Sequence, residues 1–97
     1  MKVKVEPEAV EDLKDLNKDQ QNYIEQCLVE LEENPTDHED SGLIRVRGRQ
    51  VFKFVMKEDA DGFDFRAVYD IDDDTVRVYA VFHRDEGYNK EEIKGRM

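Results

Sequence analysis

Residues 63–84 read Phe63-Asp64-Phe65-Arg66-Ala67-Val68-Tyr69-Asp70-Ile71-Asp72-Asp73-Asp74-Thr75-Val76-Arg77-Val78-Tyr79-Ala80-Val81-Phe82-His83-Arg84. Apolar and polar side chains alternate on both sides of a three-aspartate break, which is the period of a β-strand. A break that short joins the two runs as an antiparallel hairpin. The same period extends back through Arg45–Lys57, and Asp59-Ala60-Asp61-Gly62 makes another short connection. Three strands are therefore expected after Gly42, at about Arg45–Lys57, Phe63–Ile71 and Thr75–Arg84.

Before Gly42 the period is 3.6. Ala9, Val10, Leu13 and Leu16 share one helical face, and Pro7 suits a first turn because its missing N–H costs nothing there. Asn17 stands at a second N-cap with Gln20 in capping-box position, followed by the stripe Tyr23, Ile24, Cys27, Leu28 and Leu31. Asn34-Pro35 ends that helix. Val3 and Val5 alternate with lysines as a short opening strand, and Asn89–Arg96 has the length of a terminal helix. The expected class is α+β, in the order β-α-α-β-β-β. Two helices pack on one face of a mainly antiparallel sheet, the other face stays open, and a short C-terminal helix follows. Residues 1–97 form a single domain.

The 97 residues, 38% of them hydrophobic, suffice for one modest core. No apolar run approaches the roughly 20 residues of a membrane span, and the opening residues lack the apolar stretch of a signal peptide. One cysteine, Cys27, excludes an internal disulfide framework and sits on an apolar helical stripe as a core residue. A cytoplasmic protein without metal or cofactor is expected. The Asp70, Asp72, Asp73, Asp74 run lacks the glycine and glutamate of a calcium-binding EF-hand loop and reads as a solvated turn. His38 reads as an exposed loop residue. Serine-triad, Walker and dinucleotide patterns are absent.

Net charge is -10. Taken alone, that argues against a nucleic-acid partner. The distribution differs: residues 43–57 carry Arg45, Arg47, Arg49, Lys53 and Lys57 and no acid. Patch polarity matters more than the sum for a polyanion. The aspartate-rich remainder is a surface that suits concentrated salt, where the Debye length falls to about 3 Å, and it equally suits an acidic protein of ordinary conditions.

Parity places the faces. Val46, Phe52, Phe54, Met56, Phe63, Phe65, Ala67, Tyr69, Ile71, Val76, Val78, Ala80 and Phe82 are expected toward the helices. Arg45, Arg47, Arg49, Lys53, Lys57, Arg66, Arg77, Tyr79 and His83 are expected on the open face, with Gly48 a place where a bulge would flip the parity before it. Basic residues interleaved with an aromatic suit single-stranded RNA, because phosphates pair with the cations and bases stack. The same alternation also serves merely to solubilise an exposed sheet.

Three segments, in this order, resemble the RelE/ParE toxin superfamily. Pro7-Glu8-Ala9-Val10-Glu11-Asp12-Leu13-Lys14-Asp15-Leu16 is similar to its first helix. Phe65-Arg66-Ala67-Val68-Tyr69-Asp70-Ile71 resembles its YR-x-x-Y strand, and Val81-Phe82-His83-Arg84-Asp85-Glu86-Gly87-Tyr88 its terminal HR-x-x-x-Y signature. The resemblance implies a toxin of a toxin–antitoxin pair, of the plasmid-stabilising kind, with a small cognate antitoxin as partner. In the RelE branch such toxins cleave mRNA in the ribosomal A site by attack of a ribose 2′-OH on the adjacent phosphate. In the ParE branch they poison DNA gyrase.

Carried over residue by residue, the resemblance gives Arg66 to phosphate stabilisation and Arg84 to leaving-group protonation or charge stabilisation. It gives Tyr88 to stacking or base catalysis, and Lys53 to base catalysis or to lowering a neighbour's pKa. Arg45, Arg47, Arg49, Lys57, Arg77 and Tyr79 complete an expected RNA-binding surface. Val55 departs from the pattern, since RelE-type strands often carry a second lysine there. His83, expected on the same face, compensates in this reading. A gyrase inhibitor, a catalytically inactive relative and a regulatory binding module remain as alternatives.

Overall fold

The computed structural model describes residues 1–59, 62–86 and 89–97. The chain runs β1 (Lys2–Val5), α1 (Pro7–Lys14), α2 (Lys18–Val29), β2 (Ser41–Val46), β3 (Arg49–Lys57), β4 (Asp64–Asp72), β5 (Thr75–His83) and α3 (Lys90–Arg96). The strands form one sheet in the order β1-β5-β4-β3-β2, with β1 parallel to β5 and the other pairs antiparallel. This is the expected α+β class.

Local chemistry sets the helices as the sequence suggests. Pro7 opens α1, and Asn17 caps α2 in a complete capping box: Gln20 N–H donates to its side chain at 2.8 Å, and Gln20 Oε1 accepts from Asn17 N–H at 3.1 Å. Ala9, Ile24, Leu28 and Leu31 from this layer pack on Phe54, Met56, Phe65, Ala67, Tyr69, Val76, Val78 and Val81 of the sheet. Tyr69 is fully buried with its polar end satisfied, donating to Pro35 O at 2.6 Å and lying 2.8 Å from Ser41 Oγ. Burial pushes its phenol pKa up. His38, expected to be exposed, is instead tucked edge-on against Phe54, and its Nδ1 accepts from Asp40 N–H.

Two irregularities change which way side chains face. The single strand expected over Arg45–Lys57 is a hairpin. Arg47 and Gly48 both take positive φ, 51° and 87°, which is the conformation of a two-residue primed turn. Arg-Gly lacks the Asn or Asp that usually announces such a turn, so the alternation read straight through it. Val46 consequently lies in the second apolar cluster, opposite the face expected for it. The second irregularity is a bulge in β5. Val68 pairs with Ala80 and Tyr69 with Val78, which leaves Tyr79 as the extra residue. Beyond it parity inverts: Val81 turns toward α1 and α2, while Ala80 and Phe82 turn away.

That far face carries its own small core, made by Val46, Val51, Val68, Ala80 and Ile93, with Ile44, Phe82 and Met97 against it. Ile93 and Met97 place α3 over this end of the face. Polar ties hold the helix there. Arg47 pairs with Glu91. Arg96 donates to Asp12 at 2.7 and 3.2 Å, to Glu92 at 2.9 Å and to Tyr79 O at 3.0 Å. Asp12 comes from the opposite layer, and it reaches the sheet edge because β1 covers β5 only as far as Val78. The exposed N–H of Val81 donates to the same carboxylate at 3.0 Å, so one side chain satisfies a strand edge and anchors α3.

A Cβ at position 48 meets no atom within 4 Å, so the cost of substitution there is conformational alone. Gly48→Val is expected to lower stability by about 1–2 kcal/mol, read as a shifted urea midpoint with unchanged slope. An unmoved midpoint would contradict the primed turn. Tyr69→Phe, which leaves the Pro35 carbonyl without its donor, is expected to cost about 1–3 kcal/mol in the same assay.

Candidate functional site

The far face of the sheet presents a ladder of side chains in three rows, whose Val68, Ala80 and Phe82 end packs against α3. On β3 they are Lys53, Val55 and Lys57. On β4 they are Val68, Arg66 and Asp64, directly opposite in register. On β5 they are Ala80 and Phe82, paired with Val68 and Arg66, and the chain continues into a 3₁₀ turn, Arg84–Glu86. The bulge at Tyr79 is what brings Phe82 onto this face beside Arg66.

Arg66, Arg84 and Lys57 converge on one carboxylate. Arg66 Nη1 donates to Asp64 Oδ1 at 2.5 Å and to Phe65 O at 3.0 Å. Arg84 Nη1 stands 3.7 Å from Asp64 Oδ2, and Lys57 is the cross-strand partner of Asp64. Arg66 and Asp64 are mostly covered, with side chains 19% and 18% exposed, whereas Arg84 is 63% exposed. The Arg66 hydrogen bond holds the Asp64 carboxyl below its usual range; the charges of Arg66, Lys57 and Arg84 add to the effect and desolvation opposes it. Asp64 therefore stays ionised at neutral pH. A shallow cleft of about 440 Å³ opens above it, lined by Lys57, Glu58, Asp59, Gly62, Asp64, His83, Arg84 and Asp85.

His83 reaches this cleft by a different route from the one expected. The bulge puts it on the helix-side face, paired with Phe65 and edge-on to that ring at 5.4 Å, so the parity assignment that set it beside Arg66 is corrected. Its Nδ1 accepts from Asp85 N–H at 3.2 Å. A neutral ring in that position carries its proton on Nε2 and is a donor there.

The remaining expected RNA-binding residues lie elsewhere. Arg45 sits opposite Gln50 on the other side of the sheet from Lys53, because the hairpin at Arg47-Gly48 reverses its parity. Arg47 is in the turn itself, paired with Glu91. Arg49 is bound by Asp70 at 2.6 Å, and that hydrogen bond raises its pKa. Arg77 contacts Glu6 and Asp72, each at 3.5 Å. Tyr79, the bulged residue, is 5% exposed and offers no ring for a base to stack on. Only Lys53, Lys57, Arg66 and Arg84 share the uncovered strip, with His83 at its rim; Tyr88 lies outside the described residues. Asp64 is a site residue that the sequence analysis does not single out. The signal was present, since the i, i+2 alternation puts it on the same face as Arg66, but its significance depends on the register with Lys57.

The fold is similar to solved toxins. The free-state structure of a mutant Escherichia coli toxin RelE superposes with a TM-score of 0.65 at 18% identity, over 98% of this chain and 90% of that one. The toxin–antitoxin complex RelBE of E. coli matches at 0.61 and 20% identity, covering 84% and 94%. The RelB–RelE complex of Methanococcus jannaschii matches at 0.55 and 14%, covering 84% and 91%. Comparison with curated protein sequences finds no match. The family profile described as "ParE toxin of type II toxin-antitoxin system, parDE" matches residues 3–88. With most of its length so matched and its fold shared with RelE, the chain belongs to the RelE/ParE superfamily of type II toxin–antitoxin toxins.

Proposed function

We propose that the chain is a ribosome-dependent mRNA endonuclease acting at the strip beyond α3. The observation that carries this reading is the convergence of Arg66, Arg84 and Lys57 on one anionic group at the cleft, with Lys53 on the same face of β3. Attack of a 2′-OH on its neighbouring phosphate needs a proton acceptor, cations around the phosphorane and a donor for the leaving 5′-oxygen. Arg66 and Arg84 supply positive charge to the phosphoryl oxygens. Lys53 stands diagonal to Arg66 across the β3–β4 ladder, roughly 7–8 Å away between Cα atoms, and a chain of nucleotides spans both. His83, which lines the cleft, is the donor to the leaving oxygen in this reading. Tyr88, or Lys53, takes the 2′-OH proton, as the family pattern implies.

By analogy with RelE bound to RelB in the solved complexes, the partner is a cognate antitoxin, and the setting is the cytoplasm.

A second reading, a DNA gyrase inhibitor, is favoured by two observations. Val55 occupies the position directly opposite Arg66, in the middle of the cationic row. Four acids, Glu58, Asp59, Asp64 and Asp85, also line the cleft. Both reduce the positive potential a nuclease would use.

Mapping cuts in mRNA on translating ribosomes distinguishes the two readings. Wild-type protein is expected to cut within codons, and Arg66→Ala to cut at least about a hundredfold more slowly while melting within a few degrees of wild type. Absence of cuts by folded wild-type protein, together with inhibition of gyrase supercoiling, would overturn the nuclease reading in favour of the second.

A further inference from the structure

The carboxylate of Asp64 is placed where a ligand phosphate would bind. One oxygen accepts from Arg66 at 2.5 Å, the other faces Arg84 at 3.7 Å, and Lys57 stands across the strand pair. Arg66 is mostly covered and is not part of the cleft lining, whereas Asp64 is. An incoming anion therefore meets Asp64 before it meets the guanidinium. The two arginines are held unequally. Arg66 makes a close, charge-assisted bond to Asp64 and a second bond to Phe65 O, which fixes its plane. Arg84 is solvent-exposed and at a distance where an ion pair contributes little, so it is free to rotate onto a different anion.

We propose that Asp64 is an internal stand-in for phosphate: it occupies the Arg66–Arg84 anion site and sets the affinity threshold a ligand must exceed. An isolated phosphate must displace a carboxylate already in place, and it gains little. A phosphodiester chain reaches Lys53 and Lys57 at the same time, so its additional contacts offset the displacement. Asp64 thus weakens every anion alike, and the extra contacts of a polyanion to Lys53 and Lys57 carry it over a threshold that a small phosphate does not reach. The inference deepens the reading of the strip as a phosphodiester site, and its test is independent of cleavage.

The test compares wild type with Asp64→Asn, which keeps shape and removes charge, and with Asp64→Ala as a second variant should the amide hold Arg66 in the same place. Inorganic phosphate is titrated against each protein, followed through the Nε–H signals of Arg66 and Arg84, and a short single-stranded RNA lacking 2′-OH groups is titrated across a salt series. Both variants are expected to bind inorganic phosphate about tenfold more tightly. For the RNA, the slope of log K against log salt should steepen by about 0.7, the equivalent of one extra neutralised phosphate. RNA affinity at low salt is expected to rise by a similar factor, because both ligands displace the same carboxylate. Unchanged or weaker phosphate binding in folded variants would overturn the proposal and would mean that Asp64 merely orients Arg66. Tighter phosphate binding with no cleavage by wild type or variant would sustain the stand-in role while removing the nuclease reading.

Discussion

One extra residue in β5 governs the arrangement of this molecule. Without the bulge at Tyr79, Val81 would leave the main core, Phe82 would enter it, and His83 would project beside Arg66. With it, β5 serves two cores in succession: Val76 and Val78 pack under the helices before the bulge, and Ala80 and Phe82 pack toward α3 after it. A slip of one residue moves every following side chain to the opposite face, so the core on each side holds the bulge in place. The extended part of β5 past Val78 also outruns β1, and the strand edge it exposes is what Asp12 and Arg96 close. The attachment of α3 and the position of the uncovered strip both follow from that geometry.

The net charge of -10 is unevenly distributed over the fold. Acids dominate the layer of α1, α2 and the segment that follows them, on the far side of the sheet from Lys53, Lys57 and Arg66. A helix layer stands about 10 Å from the strands it covers, close to the Debye length at 0.1 M salt. At the strip the charges are close to balanced, because Glu58, Asp59, Asp64 and Asp85 line the same cleft as Lys57 and Arg84. Within the strip Asp64 counts most, because it touches the cation that a ligand would need.

Much of the architecture could be read from the sequence because local chemistry and tertiary packing agree there. Pro7, the Asn17–Gln20 capping box and the apolar stripe through Ile24 and Leu28 each specify their element without help from distant contacts. The β4–β5 hairpin was equally legible from its aspartate break. What could not be read were the two places where a strand departs from strict alternation. Arg-Gly is an unusual pair for a primed turn, and a bulge leaves no mark on a run of apolar residues such as Val78-Tyr79-Ala80-Val81-Phe82. Both misreadings propagated by parity. Strict alternation points Arg45, His83 and Tyr79 to the open face, whereas Arg45 and His83 lie on the opposite one and Tyr79 is buried. Lys53 and Arg66 were placed together correctly, because neither irregularity lies between them in the β3–β4 register. Arg49 and Arg77 were legible as cations but not as bound ones, since Asp70, Glu6 and Asp72 come to them only in the folded chain.

The central claim is that polyanions dock on the strip beyond α3 and nowhere else on the described surface. Titrating a non-cleavable single-stranded RNA into labelled protein and following the arginine Nε–H and lysine Nζ resonances tests it most directly. The account predicts that Arg66, Arg84, Lys53 and Lys57 shift together with one affinity, while Arg45, Arg49 and Arg77 stay where they are. Shifts confined to Arg45, Arg49 and Arg77, with Arg66 unmoved, would contradict it.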